Sequence, residues 1–177
     1  KKGVPLTTAC DVMSQVSAPP GRMQRVAMDG PAVFVDYAHT PAALEVALRA
    51  LRAHCRGRLW VVFGCGGDRD SGKRPQMGKT AEHLADHVVI TNDNPRSEDA
   101  DALVDDIVAG LTHPEQVTII EDRAAAIAWT IEHADAADAV LVAGKGHEDY
   151  QETCDKRLPF SDYAVARKAL AVKEGAR

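Results

Sequence analysis

Five short apolar runs, each followed by a stretch with helical periodicity, most constrain what this chain can fold into. The runs cover residues 32–35, 59–63, 88–90, 117–120 and 139–143. The helical stretches cover residues 41–54, 78–85, 100–111, 123–133 and 162–172. Alternating strands and helices are typical of α/β folds, and continuous runs of Val, Ile and Leu indicate strands buried on both faces. The pattern predicts a Rossmann-like α/β fold, with a mostly parallel sheet flanked by helices on both faces.

The first twenty residues do not follow this pattern. Residues 4–16 mix apolar and polar side chains without a sustained period, and proline and glycine cluster within residues 17–21. Such a cluster is typical of a boundary, either a frayed terminus or a linker between domains. The chain also starts at Lys1 rather than at Met, and we expect it to be a piece of a longer protein.

Composition argues against several classes of function. The 177 residues carry 21 basic and 26 acidic side chains, a net charge of −5, whereas a binder of nucleic acid or of a membrane surface carries a basic face. No apolar run approaches the roughly 20 residues that span a bilayer, and no signal-peptide pattern is found. The scattered cysteines favour reduced thiols and a cytoplasmic location over disulfides or a zinc ribbon. They are Cys10, Cys55, Cys65 and Cys154.

Polar residues and glycines are concentrated after four of the five predicted strands. These clusters cover residues 36–41, 64–75, 92–96 and 144–148, whereas the loop at residues 121–123 is short and ordinary. Because the carboxyl ends of parallel strands meet at one edge of a sheet, we expect the four clusters to form a site.

Both signs of charge are present in these clusters. The cations suit carboxylates or phosphates, and the carboxylates Asp36, Asp93 and Glu148 suit ammonium groups or sugar hydroxyls. The cations are Arg69, Lys73, Arg74, Arg96 and Lys145. The mixture favours a zwitterionic or sugar-bearing ligand, and the alternative is a set of surface ion pairs with turn glycines.

Two better-known motifs are incomplete here. Residues 67–74 nearly match the phosphate loop G-x-x-x-x-G-K-[ST], but Arg74 stands where a hydroxyl is needed, and residues 78–80 lack the first glycine. His39, His147 and Cys65 fit no metal-ligand spacing. We therefore expect neither a phosphate loop nor a metal site in this chain.

At these clusters the sequence resembles the C-terminal domain of the Mur ligases. The resemblance rests on five ordered motifs and extends from about residue 21 to the last helix. They are Gly21-Arg22-Met23, VDYAHTP at 35–41, FGCGGDRDSGKRP at 63–75, DNPR at 93–96 and GKGHEDYQ at 144–151. The resemblance implies that residues 1–20 are the tail of a central domain with its linker, and that residues 21–177 are the C-terminal amino-acid-binding domain.

The resemblance also implies an activity for the full-length protein. Mur ligases are ATP-dependent amide-bond-forming ligases of peptidoglycan synthesis in the cytoplasm, and their central domain carries the phosphate loop and the Mg²⁺ ligands. We therefore expect no catalytic residue and no Mg²⁺ ligand in this chain, and no activity of the chain alone. The implied partners are meso-diaminopimelate, ATP, UDP-N-acetylmuramoyl-L-alanyl-D-glutamate, and the central and N-terminal domains of the same protein.

Site residues follow from the same resemblance. The DNPR motif marks the members that add meso-diaminopimelate, which is lysine with an extra distal carboxylate. Arg96 and a backbone group of Gly144 would face that carboxylate, Glu148 would accept from the distal ammonium, and Arg69 would bind the other carboxylate. The full diaminopimelate set is Arg69, Asp93, Asn94, Pro95, Arg96, Gly144 and Glu148, and the nucleotide set is Arg22, Asp36 and His39.

Two alternatives remain open from the sequence. One is a related Mur ligase that adds lysine, and the other is a non-catalytic module that binds a nucleotide or an amino acid.

Overall fold

A six-stranded sheet forms the centre of the protein. The computed structural model describes residues 3–14, 19–27, 30–154 and 156–175. In chain order the strands of this sheet are β1 (Gln24–Arg25), β2 (Ala32–Asp36), β3 (Leu59–Phe63), β4 (His87–Ile90), β5 (Thr118–Ile119) and β6 (Ala139–Ala143). Their spatial order is β1-β2-β6-β3-β4-β5, and every pair is parallel except β1 with β2. The predicted mostly parallel sheet is confirmed.

Among the described residues, six α-helices and one small hairpin accompany the sheet. The helices are α1 (Leu6–Ser14), α2 (Pro41–Arg52), α3 (Lys73–Leu84), α4 (Ala100–Val108), α5 (Arg123–His133) and α6 (Asp162–Gly175). A 3₁₀ turn covers Pro114–Gln116, and the hairpin consists of β7 (Tyr150–Thr153) and β8 (Lys156–Pro159). Side-chain caps begin several of the helices: Thr40 accepts from the Ala43 N–H at α2, Asp99 from the Asp101 N–H at α4, and Asp122 from the Ala125 N–H at α5.

Helices cover both faces of the sheet, as the continuous apolar strands predict. Alternate residues of β3 show the division: Leu59, Val61 and Phe63 pack against α2, α3 and α4, while Trp60 and Val62 pack against α5 and α6. Each face thus has its own apolar core, with the five parallel strands between them.

The position of β6 creates the site. The chain runs from β2 through β3 and β4 to β5 with α2, α3 and α4 on one face, then returns over the other face through α5. β6 therefore lies between β2 and β3, although it follows all of them in the chain. Neighbouring strands at this point lead to helices on opposite faces, which opens a crevice beyond their carboxyl ends.

Several elements differ from the sequence prediction. α3 begins at Lys73 rather than at residue 78, because its Pro75 lies in the first turn, where a missing N–H interrupts no helical hydrogen bond. Residues 6–14 form the helix α1 despite their weak periodicity, and most of its side chains are exposed. Residues 1–2 and 15–18 of the predicted linker lie outside the described residues.

Candidate functional site

The four polar clusters meet in one cleft of about 540 Å³ beyond the carboxyl ends of β2, β3, β4 and β6. Six of the seven residues expected to bind diaminopimelate line it, together with His39 from the expected nucleotide set. The six are Arg69, Asp93, Asn94, Arg96, Gly144 and Glu148. The structure therefore brings together side chains that lie up to 109 positions apart in the chain, from His39 to Glu148.

Pro95 is the member of that set outside the lining. It is buried, and its carbonyl accepts from the Glu98 N–H at 3.1 Å. Its ring instead helps to shape the turn between Asn94 and Arg96, both of which reach the cleft.

A buried lysine organises the floor of the cleft. The Lys145 ammonium lies 2.8 Å from Asn94 Oδ1, 3.0 Å from Glu148 Oε2 and 3.9 Å from Asp93 Oδ1. Asn94 Nδ2 also donates to Glu148 Oε2 at 2.9 Å. Because Lys145 and Asn94 both approach Oε2, they fix the Glu148 carboxylate in place while the residue stays in contact with the cleft. From the sequence, Lys145 is expected among the cations of the clusters but not in the site set.

Two titratable groups that line the cleft have pKa values shifted from their ordinary values. Burial raises the pKa of Asp93, against the opposing positive charges of Arg123 and Lys145. Burial also raises the pKa of the Cys65 thiol to about 12, so this thiol stays protonated and offers no thiolate nucleophile at neutral pH.

Gly144 lies where only glycine fits. Its φ is +117°, and a Cβ there would lie 2.6 Å from Asp93 Oδ2. The Gly144 N–H donates to the Asp36 carbonyl at 3.1 Å, so the backbone group that Gly144 offers a ligand is its carbonyl oxygen. A carbonyl accepts from an ammonium group, whereas the expected contact with a carboxylate would need a donor.

Arg96 is held from both sides. Its Nη1 donates to the Gly67 carbonyl at 2.6 Å, and its Nε lies 3.3 Å from Glu152 Oε2 on β7. Its backbone has a φ of +55°, and its N–H and C=O bond to Glu152 and Cys154. The guanidinium is thus positioned at one end of the cleft by the hairpin as well as by its own loop.

The three residues of the expected nucleotide set have different surroundings. Arg22 lies over the Tyr37 ring at 4.7 Å, and Tyr37 and His39 line the cleft together. The carboxylate of Asp36 accepts from the Met23 N–H at 2.7 Å, beside a shallow depression outside the main cleft. Of the three, only His39 lines the cleft itself.

Arg74, a candidate ligand-binding cation from the sequence, lies away from the cleft. It is buried and bonds to Glu98 and Asp106, each at 2.8 Å. Because α3 already begins at Lys73, Arg74 faces α4 instead of a ligand. For this residue the ion-pair alternative is correct.

The loop after β5, treated above as ordinary, contains another buried cation. Arg123 makes a two-pronged pair with Asp162 at 2.8 Å, and its Nη atoms also reach the Ala143 and Asn92 carbonyls. Burial alone would lower the pKa of Arg123, but the Asp162 carboxylate outweighs this and raises it. The pair lies beneath the cleft and connects the ends of β4 and β6 to α5 and α6.

Further residues from the same loops and from β7 also line the cleft. They are Tyr37, Thr40, Gly64, Cys65, Gly66, Asp70, Lys73 and Tyr150. Within the described part of the chain, no group of three or more His, Cys, Asp and Glu side chains could hold a metal ion, and no helix is long and apolar enough to cross a membrane. The arrangement is suited to a small ligand carrying both charges, since cations and carboxylates face one space.

Comparisons with known proteins agree with this description. The protein "UDP-N-acetylmuramoyl-L-alanyl-D-glutamate--2,6-diaminopimelate ligase" of Ectopseudomonas mendocina is 57% identical over 93% of this chain, and the protein of the same name from Ralstonia nicotianae is 53% identical over 97%. A solved structure of a ligase with that name superimposes with a TM-score of 0.85 at 42% identity, covering 97% of this chain and 36% of that one. The chain spans 34% of the length of the two curated relatives.

A family model described as "Mur ligase, glutamate ligase domain" matches residues 21–146. That match covers the six-stranded sheet, three of the four polar clusters and the first residues of the fourth, and the first motif begins where the match begins. The chain therefore belongs to the Mur ligase family.

Proposed function

We propose that this chain is the amino-acid-binding domain, residues 21–177, of an ATP-dependent ligase that adds meso-diaminopimelate to UDP-N-acetylmuramoyl-L-alanyl-D-glutamate in peptidoglycan synthesis. The observation that carries the proposal is a single cleft in which the Arg96 guanidinium and the Glu148 carboxylate face the same space. The similar proteins named above are also called diaminopimelate ligases, so neither the lysine-adding nor the non-catalytic alternative is favoured.

In this proposal the cleft binds both charged ends of the amino acid. Arg96 pairs with the distal carboxylate, and Glu148 with the Gly144 carbonyl accepts from the distal ammonium. Arg69 binds the carboxylate next to the reacting amine. Asn94 and Lys145 act through Glu148, whose Oε2 they already hold.

The reaction requires parts that lie outside this chain. ATP would phosphorylate the D-glutamate carboxylate to an acyl phosphate, and the amine of diaminopimelate would attack its carbonyl and expel phosphate. The residues of this chain orient the amine, and orientation of this kind accounts for several kcal/mol of a barrier. We place the Mg²⁺ ligands and the phosphate loop in the central domain, residues 1–20 at its end, and the reaction in the cytoplasm.

ATP would reach this chain at the rim of the cleft. Arg22 and His39 flank the Tyr37 ring there, and together they offer a cation and aromatic surface to a nucleotide. Asp36 has a second carboxylate oxygen that could accept from ribose hydroxyls, while its Oδ2 accepts from the Met23 N–H. The nucleotide contacts of this domain are therefore expected around Tyr37.

Substitution of Arg96 tests the proposal. In the full-length protein, Arg96→Ala removes the partner of the distal carboxylate, and we expect kcat/KM for meso-diaminopimelate to fall about 100-fold, as for a lost charge-assisted pair of about 3 kcal/mol. The measurement is incorporation of radiolabelled diaminopimelate into the UDP-linked acceptor.

Arg49→Ala is the matched control, since Arg49 is exposed on α2 and pairs with Glu45. It should leave the kinetics unchanged. Incorporation that survives Arg96→Ala intact would remove Arg96 from the site, and a full-length parent enzyme that incorporates no diaminopimelate would refute the proposed function itself.

A further inference from the structure

The Arg96 guanidinium already has a counter-ion before any ligand is present. Glu152 Oε2 lies 3.3 Å from Arg96 Nε, and the side chains of the two residues are 19% and 24% exposed. A charge pair in such partly buried surroundings is screened less than one at the surface. A ligand carboxylate that binds Arg96 must therefore share the guanidinium with a protein carboxylate.

The backbone of Glu152 is fixed independently of its side chain. Its N–H donates to Asn94 Oδ1 at 2.9 Å, and its C=O accepts from the Arg96 N–H at 3.1 Å. Strand β7 therefore stays attached to the DNPR loop through main-chain contacts, which a change of side chain leaves in place. The charge of residue 152 can thus be removed by substitution without displacing its backbone.

A second arginine contacts the other carboxylate oxygen of Glu152. Arg157 Nε lies 3.4 Å from Glu152 Oε1, and its guanidinium lies over the Tyr150 ring at 4.5 Å. Arg157 is 64% exposed, so solvent screens this pair more than the pair with Arg96. Glu152 consequently has one oxygen on each arginine and is held in register with Arg96.

We propose that Glu152 is a positioning residue that limits the selectivity of the cleft for amino acids with a distal carboxylate. This role of Glu152 rests on the proposed function above. A substrate with a distal carboxylate must compete with Glu152 for the Arg96 guanidinium, which weakens its binding. A substrate without that carboxylate, such as lysine, leaves the Arg96–Glu152 pair intact and so escapes the penalty of an unpaired arginine.

The test is E152Q in the full-length ligase, since glutamine keeps the shape of the side chain and removes its charge. We expect kcat/KM for meso-diaminopimelate to rise about fivefold through a lower KM, as for removal of one partly exposed charge. The kcat/KM for L-lysine should stay the same or fall, because Arg96 then has no partner when lysine is bound. The selectivity ratio therefore rises at least about fivefold. An unchanged or lower ratio would overturn the proposal.

Three controls isolate the effect of the Glu152 charge on Arg96. E45Q removes an equal charge on the exposed side of α2 and should leave the ratio unchanged. In an R96A background, E152Q should have no effect on the ratio, because Glu152 acts through Arg96; a persisting effect would contradict that. If the parent enzyme uses diaminopimelate but E152Q leaves the selectivity ratio unaltered, only the role of Glu152 is refuted. If the parent enzyme does not use diaminopimelate, the proposed function is refuted.

Discussion

Asp138 shows how a single buried carboxylate can fasten several segments. It lies at the amino-terminal end of the sheet, opposite the cleft. Its Oδ1 accepts from the Arg58 N–H at 2.7 Å, and its Oδ2 accepts from Trp60 Nε1 and the Asp135 N–H, both at 2.9 Å. Burial alone would raise the pKa of Asp138, but these donors outweigh it and hold the pKa below its ordinary value.

Asp138→Asn should therefore destabilise the protein in a pH-dependent way. A group whose folded pKa is lowered contributes stability above its unfolded pKa, and this contribution disappears as the pH falls through the folded pKa. We expect a loss of about 2 kcal/mol at pH 7, because the amide NH₂ must face an N–H donor. The difference from the parent should shrink below about pH 4.

Urea unfolding at a series of pH values measures this difference. Asp135→Asn is the matched control, because the Asp135 side chain is exposed and the contact with Asp138 uses its backbone N–H. A loss that stays constant from pH 7 to acid would show that the charge of Asp138 is not responsible.

Among the elements, α3 and α4 approach more closely than side chains would permit. A Cβ on Gly78 of α3 would lie 2.4 Å from the Ile107 carbonyl of α4, and one on Gly110, just after α4, would lie 1.9 Å from the Pro75 carbonyl. Two glycines thus allow backbone-to-backbone contact between the first half of α3 and the end of α4. The contact holds α3, whose first turn carries Lys73 at the cleft.

Gly78→Ala should reverse the usual effect of this substitution. Alanine normally stabilises a helix interior by about 0.5–1 kcal/mol relative to glycine. Here the added methyl group meets backbone, which cannot move without separating the helices, and we expect a loss of about 2–3 kcal/mol, as for overpacking. Thermal or urea unfolding measures it.

Gly175→Ala provides the comparison, because Gly175 ends α6 with no atom within 4 Å of its added Cβ. This variant should be neutral or slightly more stable. If Gly78→Ala behaves in the same way, the packing of α3 on α4 is looser than described.

The elements also show what sequence can predict. Continuous apolar runs predict β3 and β6 at their observed bounds, and the helical stretch predicted over residues 123–133 coincides with α5. The two-residue β1 and the polar hairpin β7–β8 carry no such signal, because β1 depends on pairing with β2 and β8 is exposed throughout. The hairpin supplies Glu152, so sequence reasoning missed one of the contacts that position Arg96.

Over the whole molecule, the Arg123–Asp162 pair joins both the sheet and the helices on one face. Local sequence could not reveal it, since the partners are 39 positions apart and each alone resembles a surface charge. By contrast, the motifs of the resemblance did identify six residues that line one cleft. Motifs therefore predicted which residues meet at the surface, while the buried pair required the packing of α6 on α5.

Arg123→Met should be among the more damaging substitutions in the chain. It leaves the Asp162 carboxylate buried without its cation, and we expect a loss of about 3–5 kcal/mol in the free energy of unfolding. The double variant R123M/D162L should recover a large part of that loss, because it replaces the pair with apolar side chains. Urea unfolding of the two variants and of the exposed-pair variant Arg49→Ala measures the effect.

Arg49→Ala should cost no more than about 1 kcal/mol, as for exposed pairs. A single variant R123M with so small a loss, or a double variant no more stable than the single one, would contradict the structural importance of the pair.

The late position of β6 in the chain has a consequence for how the protein is made. On the ribosome, β2 and β3 emerge long before residue 139, yet the strand that separates them in the finished sheet is still absent. Both strands are apolar, and the backbone edges that will pair with β6 stay unpaired until translation passes residue 143. The sheet thus closes late and through long-range contacts. Such contacts form slowly during folding and leave nascent chains prone to aggregation.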